Sequence, residues 1–250
     1  MHNTIIGRKP VIEALRAGTR IEKIVMLPGV QGNIIDEIRK LAREKRVTIG
    51  EVRRDEFRQF ATDAAAQGVV AMVASKHYVT LKQLLEAPKE RNEKGFILVL
   101  DEIEDPQNLG ALVRTAECAG AHGVVIPKHH AAPVTAAVVK ASAGATEHMA
   151  MAEVTNIVSA LEELKEEGYW IVGLDMQGTK HYTEMDYSTP IAVVVGNEGR
   201  GIRRLVKEHC DHLVKIPLFG KVSSLNGSVA GALVMFEVAR ARSGQTALPR

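Results

Sequence analysis

The sequence predicts an α/β protein in which a doubly wound parallel sheet is preceded by a smaller α/β unit. From residue 95 onward, short apolar and β-branched runs alternate with longer segments of helical periodicity. This alternation is typical of parallel strands joined by crossover helices. Before residue 76 the same alternation covers a shorter stretch, and a charged, proline-containing segment lies between the two parts. We therefore expect a domain at 1–75, a linker at 76–94 with one short helix, and a second domain at 95–250.

The first unit is expected to contain two helices and three strands. The segments "RKPVIEALRAG" and "NIIDEIRKLAREK" carry apolar residues at the spacing of one helical face. The segments "IEKIVML", "VTIGEV" and "GVVAMVA" are short, apolar and rich in β-branched residues, so they are predicted to be strands.

The second unit begins with "FILVLD" at 96–101, a continuous apolar run of the kind found in strands buried on both faces. After it we expect, in order, helix 109–119, strand "GVVIP", a helix in "APVTAAVVKASAG", helix 156–167, strands "YWIVGLD" and "IAVVVG", helix 202–209, strand "HLVKIPL" and helix 226–242. Ligands of such sheets bind beyond the carboxyl ends of the strands, so the loops that follow the strands are the places to look for function.

The composition excludes several classes of protein. The chain has 250 residues, of which 46% are hydrophobic and 25% charged, and this is enough for a sizeable core. Two cysteines fit a reducing compartment, no apolar run approaches the roughly 20 residues of a membrane span, and the N-terminus lacks the pattern of a signal peptide. We expect a cytoplasmic protein. The nine histidines are scattered and no metal-ligand spacing occurs, so no metal is expected.

The charge of the chain is unevenly distributed. Residues 1–94 contain 18 Lys and Arg against 12 Asp and Glu, whereas residues 95–250 contain 14 against 18. A basic segment on a protein whose net charge is only +2 indicates a polyanionic partner. A solvated lysine-rich surface would give the same balance, so charge alone leaves both interpretations open.

Two strand-to-helix loops carry candidate functional residues. In "DEIEDPQNLGALVRTAECAG", Asn108 lies near the start of a helix and Arg114 follows six residues later. Asn108 could simply cap the helix and Arg114 could be solvated. In "IAVVVGNEGRGI", glycines around Glu198 let the backbone approach a ligand closely. The order G-x-x-G-x-G differs from the dinucleotide fingerprint, and the carboxylate argues against a simple phosphate site.

The third loop, "VKIPLFGKVSSLNGSVAGAL", leads from a strand into an apolar helix. Ser224 and Asn226 precede that helix directly. Serine and asparagine are common helix caps, and they are also common in ligand-binding loops. The segment by itself does not decide between these two roles.

Taken together and in this order, the three loops resemble the three motifs of the SpoU (TrmH-like) branch of the SPOUT RNA methyltransferases. The resemblance covers about 95–242 closely, and "IIGRKPVIEALRAG" is similar to the L30e-like RNA-binding domain that precedes the catalytic domain in many members. The start of the chain also resembles that of the bacterial members that 2′-O-methylate a guanosine in the peptidyl-transferase region of 23S rRNA, so we expect that substrate. Leu218 and Gly227 depart from the common pattern, which has Met and Val there.

The resemblance implies a deep trefoil knot in the C-terminal domain, a homodimer, and S-adenosylmethionine as cofactor. It places the cofactor against backbone around a set of glycine, apolar and amide residues, namely Gly196, Ile216, Leu218, Leu225 and Asn226. It also implies that the substrate is structured RNA. For the N-terminal domain we expect RNA contacts from four basic residues, Arg8, Lys9, Arg53 and Arg54.

The resemblance also assigns catalytic roles. It places Arg114 beside the ribose 2′-hydroxyl, where we expect it to stabilise developing negative charge, because a guanidinium stays protonated and is a poor base. Asn108 and Glu198 would position Arg114 or the RNA, and Ser224 and Asn226 would orient the nucleophile.

Two other classes of function explain less of the sequence. An enzyme that binds a nucleotide and acts on a small metabolite would explain the sheet but not the basic N-terminal unit. A non-catalytic RNA-binding protein would be expected to lack Arg114 or Asn226, and the chain has both.

Overall fold

The structure is a computed structural model that describes residues 3–16, 19, 21–61, 66–73, 77–222 and 224–243. The chain divides into two compact units, with the boundary between residues 76 and 77. Each unit has its own sheet and its own hydrophobic core.

The first unit is a four-stranded mixed sheet with helices. Its elements are β1 Asn3–Ile6, α1 Arg8–Arg16, β2 Ile21–Met26, α2 Asn33–Glu44, β3 Thr48–Glu51, α3 Arg54–Phe57 and β4 Val69–Val73. The strand order is β1-β4-β2-β3, with β4 antiparallel to both of its neighbours and β2 parallel to β3. It follows that β1, β2 and β3 run in one direction and end at the same edge of the sheet. The first strand, β1, was not predicted.

The second unit is built on a seven-stranded sheet in which every pair of neighbouring strands is parallel. Its strands are β5 Phe96–Asp101, β6 Gly123–Pro127, β7 Met151–Val154, β8 Trp170–Leu174, β9 Lys180–His181, β10 Ile191–Gly196 and β11 His212–Lys215. Their order is β7-β6-β5-β10-β8-β11-β9. The predicted parallel α/β sheet is confirmed, and β7 and β9 are strands that the sequence pattern did not reveal.

Helices cover both faces of this sheet. They are α4 Leu81–Glu90, α5 Pro106–Cys118, α6 Ala136–Ala141, α7 Ala145–His148, α8 Ile157–Glu166, α9 Arg204–Glu208 and α10 Gly227–Ser243, with a 3₁₀ turn at Tyr182–Glu184. Alternate residues of β5 belong to two different hydrophobic clusters, one shared with α5 and α10 and the other with α4, α8 and α9. Burial on both faces explains why β5 is apolar throughout.

The segment 76–94, expected to be a linker, contributes packed structure to the second unit. Its helix α4 starts with a capping box between Thr80 and Gln83, and Leu84 and Leu85 are buried in the core. Leu84 packs so closely over Gly123 that a Cβ at that glycine would lie 2.5 Å from it. The expected short helix is therefore present, and its apolar face is part of the second core.

The helix predicted in "APVTAAVVKASAG" is present as α6, and a separate short helix, α7, begins at Ala145, directly after that segment. Between them Ala143 and Gly144 both adopt left-handed backbone conformations, with φ of 50° and 86°. A left-handed residue ends an α-helix, and glycine adopts this conformation without steric cost. Among the described residues, no helix is both long and apolar enough to cross a membrane.

Candidate active site

The loops that carry the predicted site residues follow β5, β10 and β11 at the carboxyl edge of the sheet. β5 and β10 are neighbours, and Gly196 is paired in register with Asp101, so the loops after these two strands start side by side. The third loop leads from β11 to α10. The structure therefore brings three distant segments of sequence to one place.

Asn108 is the central residue of this convergence. Its side-chain Nδ2 donates a hydrogen bond to Oε1 of Glu198, and its Oδ1 accepts one from Nδ2 of Asn226 at 3.1 Å. The helix that contains Asn108 is capped by Asp105, whose Oδ1 accepts from the Asn108 backbone N–H at 2.9 Å. Because Asp105 provides the cap, the side chain of Asn108 is free to join the other two loops.

Asn226 caps the helix α10 and also contacts the first loop. Its Oδ1 accepts hydrogen bonds from the backbone N–H groups of Ser228 at 2.9 Å and Val229 at 3.3 Å, which is the geometry of a helix cap for α10. Its Nδ2 is thereby directed to Asn108. Gly227 lets α10 start close to Glu198, since an added Cβ at 227 would lie 3.3 Å from the Glu198 Cγ.

A cavity of about 480 Å³ lies beside these residues, within the range of roughly 300–1,000 Å³ typical of small-ligand sites. Four of the predicted cofactor residues line it, namely Gly196, Ile216, Leu218 and Leu225. The predicted catalytic residues Glu198 and Ser224 also line it, whereas Asn108, Asn226 and Arg114 do not. Glycine backbone and apolar side chains form about half of the cavity surface, and seven polar or charged side chains line it as well.

Gly196 has to be a glycine. A Cβ at this position would lie 2.3 Å from the Gly201 carbonyl carbon and the Ile202 nitrogen, which is inside the contact distance of real side chains. The loop folds back on itself here, and Asn197 pairs with Gly201 in a single β-bridge. The Asn197 side chain also accepts hydrogen bonds from the backbone N–H groups of Gly199 and Arg200.

Arg114 lies on α5, about 9 Å along the helix axis from Asn108. Its side chain is exposed. The described part of the chain provides no hydrogen bond or ion pair to its guanidinium, in contrast to Arg200 and Arg203. The structure thus separates Arg114 from the Asn108–Glu198–Asn226 group within one chain.

Sequence reasoning missed an ion pair in the cavity wall. Lys207 Nζ lies 2.5 Å from Asp175 Oδ2, and both residues line the cavity together with Met176 and Gln177. Asp175 directly follows the strand β8, so its place at the carboxyl end of a strand was the signal available in the sequence. Among the described residues, no group of three His, Cys, Asp or Glu side chains could hold a metal ion.

The predicted RNA-binding residues occupy one edge of the first unit. Arg8 and Lys9 follow β1, and Arg53 and Arg54 follow β3, so all four lie where the parallel strands of that sheet end. Lys9, Arg53 and Arg54 are exposed, and Arg8 is half-buried with its Nε donating to the Gln67 carbonyl at 2.9 Å.

Two protein-family descriptions match the chain. The SpoU rRNA methylase family matches residues 95–236, which is more than half of the chain. A second description, RNA 2′-O ribose methyltransferase substrate binding, matches residues 4–79.

Similar proteins extend over nearly the whole chain. YacO of Bacillus subtilis (strain 168), classed with TrmH family tRNA/rRNA methyltransferases, is 46% identical over 242 residues, covering 97% of each chain. A protein of the same class from Staphylococcus aureus (strain Mu50) is 40% identical over 238 residues, covering 95% of this chain and 96% of its own.

Solved structures share the fold. AviRb from Streptomyces viridochromogenes, a SpoU methyltransferase in complex with AdoMet, aligns with a TM-score of 0.60 at 23% identity, over 97% of this chain and 91% of its own. An AdoMet-bound rRNA methyltransferase from Sinorhizobium meliloti aligns with a TM-score of 0.63 at 25% identity, over 95% and 86%. The family match over residues 95–236 and the similarity to these relatives show that the chain belongs to the SpoU rRNA methylase family.

Proposed function

We propose that the chain transfers a methyl group from S-adenosylmethionine to a ribose 2′-hydroxyl of RNA, and that its target is a guanosine of 23S rRNA near the peptidyl-transferase centre. The observation that carries the proposal is the hydrogen-bonded convergence of Asn108, Glu198 and Asn226 beside a cavity of cofactor size. The match of the N-terminal residues to an RNA 2′-O ribose methyltransferase substrate-binding domain supports ribose as the acceptor. Related structures were solved with AdoMet bound, which supports the cofactor.

The residues of the cavity fit this cofactor. Gly196 brings backbone polar groups to the cavity surface, and Ile216, Leu218 and Leu225 supply apolar contacts for an adenine ring. When bound, the cofactor supplies a methyl group already activated by its sulfonium. The protein then has to hold the acceptor hydroxyl in line with that methyl group and assist the loss of its proton. We also propose that the C-terminal domain contains the deep trefoil knot that the family resemblance implies.

Arg114 is the residue to which we assign stabilisation of the developing alkoxide. A guanidinium is a poor base, so we assign Arg114 the role of a positive hydrogen-bond donor. Its exposure, and the lack of a partner among the described residues, leave its donors available to RNA. Asn108, Glu198 and Asn226 fix the loop geometry next to the cavity, and the exposed Ser224 at its wall orients the acceptor.

We further propose a homodimer formed through α10. Val229, Leu233 and Phe236 recur at helical spacing on one face of this helix and are 49%, 40% and 40% exposed. Val234, which belongs to the same apolar run, is fully buried in the core. An apolar stripe on the exposed side of a helix is a common interface between subunits. A second subunit would also bring another copy of the solvent-facing Arg114 to the assembly.

The basic edge of the first unit is proposed to hold the RNA. Arg8, Lys9, Arg53 and Arg54 share that edge, and phosphate contacts from such residues provide affinity that falls with salt. Aromatic residues make up only 4% of the chain, so recognition by shape and backbone is favoured over widespread base stacking.

The test is a methyl-transfer assay with labelled S-adenosylmethionine on unmodified 23S rRNA and on bulk tRNA, followed by mapping of the 2′-O-methyl position. Label in one guanosine ribose of 23S rRNA is the expected result. Label in tRNA would keep the reaction and overturn the substrate. A dimer that binds cofactor but transfers no label to either RNA would favour a non-catalytic RNA-binding role.

A further inference from the structure

The end of strand β5 carries a buried carboxylate that belongs to neither the cavity nor the catalytic group. Asp101 is fully buried, and its two oxygens accept two hydrogen bonds from Arg203 and make one further ion-pair contact with it. The backbone N–H of Arg203 donates to Oδ2 at 2.8 Å, while Nε and Nη2 approach Oδ1 at 2.8 and 2.6 Å. Charge-assisted contacts of this kind stabilise a buried carboxylate, and removing the Arg203 side chain would leave Oδ1 of Asp101 without its charged partner.

The next residue, Glu102, has a left-handed backbone with φ of 59°, which is uncommon for a residue with a side chain. In this conformation its carbonyl oxygen accepts a hydrogen bond from Asn197 Nδ2 at 3.0 Å. Its carboxylate lies 3.2 Å from Arg200 Nη2 and 3.6 Å from Arg203 Nε. Strained residues persist where their surroundings compensate for the strain, and they often occur near functional sites.

Together these contacts hold the segment 197–203 at Asn197, Arg200 and Arg203, which are its start, middle and end. Residues 197–201 form one wall of the cavity. Gly199 and Gly201 lie within this segment, so without fixed contacts its backbone would have many conformations and binding would have to select one. Asp101 and Glu102 do not line the cavity, so any influence on a ligand passes through the segment they hold.

We propose that Asp101 and Glu102 are positioning residues that set the affinity for S-adenosylmethionine by holding residues 197–203 in the binding conformation through Arg203, Arg200 and Asn197. This inference rests on the proposed function, because it takes the cavity to be the cofactor site. It assigns to the acidic pair at the start of the first loop a role in shaping the part of the cavity wall that the second loop forms.

The test compares cofactor binding and turnover in the full-length protein. Asp101→Asn keeps the shape of the side chain but removes its charge, and Arg203→Gln removes the donor side of the pair. For both we expect the dissociation constant for S-adenosylmethionine, measured by calorimetry without RNA, to rise about tenfold or more. At saturating cofactor, kcat should stay within about twofold of the wild type, because no group at the reacting atoms changes.

Arg204→Gln is the matched control, since Arg204 is the next residue along, is 76% exposed, and pairs with Glu208 one turn further on. It should leave the dissociation constant unchanged. Arg203→Lys, which keeps a positive charge, should recover part of the affinity lost in Arg203→Gln. Unchanged cofactor affinity in folded Asp101→Asn and Arg203→Gln, or a loss of kcat without a loss of affinity, would overturn the inference. Failure of 23S rRNA as substrate would overturn only the proposed substrate, because the binding comparison needs no RNA.

Discussion

The side-chain amide of Asn226 donates a hydrogen bond to the amide oxygen of Asn108 over 3.1 Å, although 118 residues separate the two in sequence. This contact fixes which way the Asn108 amide points, because its Nδ2 must then face Glu198. The first, second and third loops are joined by these two hydrogen bonds. The two asparagine side chains thus link the three loops that the strands bring together, and a carboxylate could not replace either of them because it has no donor.

Substitution at Asn226 separates its structural role from its functional one. Asn226→Asp keeps the oxygen that caps α10, and aspartate is as good a cap as asparagine, so the free energy of unfolding should change by less than about 1 kcal/mol. The variant loses the donor to Asn108 and puts a negative oxygen against the Asn108 oxygen. We therefore expect kcat to fall about tenfold or more, as measured by methyl transfer.

Asn226→Ala provides the comparison, because it removes the cap as well as the donor. It should lose about 1 kcal/mol of stability in denaturant titration and an amount of activity similar to that lost by Asn226→Asp. If Asn226→Asp kept normal turnover, the Asn226–Asn108 contact would have no part in catalysis.

Arg114→Ala is expected to reduce kcat at least roughly a hundredfold, equivalent to about 2.7 kcal/mol of activation free energy, because it removes a positive donor from the transition state. Arg114 is exposed and does not line the cavity, so cofactor affinity and melting temperature should be close to those of the wild type. Arg91→Ala, at an exposed arginine after α4, is a suitable control and should keep full activity. Turnover close to normal in folded Arg114→Ala would refute the assignment.

Gly196→Ala tests whether the close backbone approach in the second loop is needed for the cofactor. The added Cβ would lie 2.3 Å from backbone atoms of Gly201 and Ile202, which cannot move aside as a flexible side chain could. We expect loss of measurable cofactor binding in calorimetry. Gly220→Ala is the matched control, because nothing lies within 4 Å of a Cβ there, and it should bind the cofactor normally.

The parallel sheet could be predicted because its central strands are apolar runs bounded by turns, as in β5 and β10. β7 and β9 were missed for a physical reason. β9 is only two residues long, and β7 pairs with one named strand at the edge of the sheet, so neither requires a strong apolar pattern. The helix α4 was expected, but its packing into the second core follows from three-dimensional contacts that a charged segment does not reveal.

At the site, the motif residues could be chosen from the sequence, whereas their partners could not. That Asp105 and not Asn108 caps α5 depends on where the helix begins, which sequence patterns locate poorly. The ion pairs of Asp101 with Arg203 and of Asp175 with Lys207 join residues far apart in the chain. The spacing of residues within one motif does not predict such ion pairs, because the pairs depend on which strands become neighbours in the sheet.

The proposed dimer makes a prediction about α10. Leu233→Glu places a charge in the middle of the exposed apolar stripe, and burying an unpaired carboxylate in an interface is costly, so the protein should become monomeric in sedimentation or light-scattering measurements. Leu205→Glu, at a leucine on α9 that is also exposed, should leave the wild-type state unchanged. A monomeric wild type, or a dimeric Leu233→Glu, would rule out this interface.

The last turn of α10 contains an arginine whose role is structural. The Arg242 guanidinium donates hydrogen bonds to four backbone carbonyl oxygens, those of Lys94 at 2.6 Å, Gly95 at 3.0 Å, Tyr187 at 3.0 Å and Thr189 at 2.8 Å. It also lies over the Phe96 ring, 5.6 Å from its centroid. Burial of the guanidinium lowers the pKa of Arg242.

Arg242→Met keeps much of the apolar stem but leaves these carbonyl groups without their donor. Each charged hydrogen bond contributes about 1.5–3 kcal/mol, and the contributions are not additive, so we expect a loss of about 3 kcal/mol or more in the free energy of unfolding. Arg204→Met, which breaks only an exposed pair within α9, should cost less than about 1 kcal/mol. Denaturant titration of the two variants measures the difference. Equal stabilities would mean that water satisfies the four carbonyl groups as well as Arg242 does. The packing of α10 against the amino ends of β5 and β10 would then not depend on this arginine.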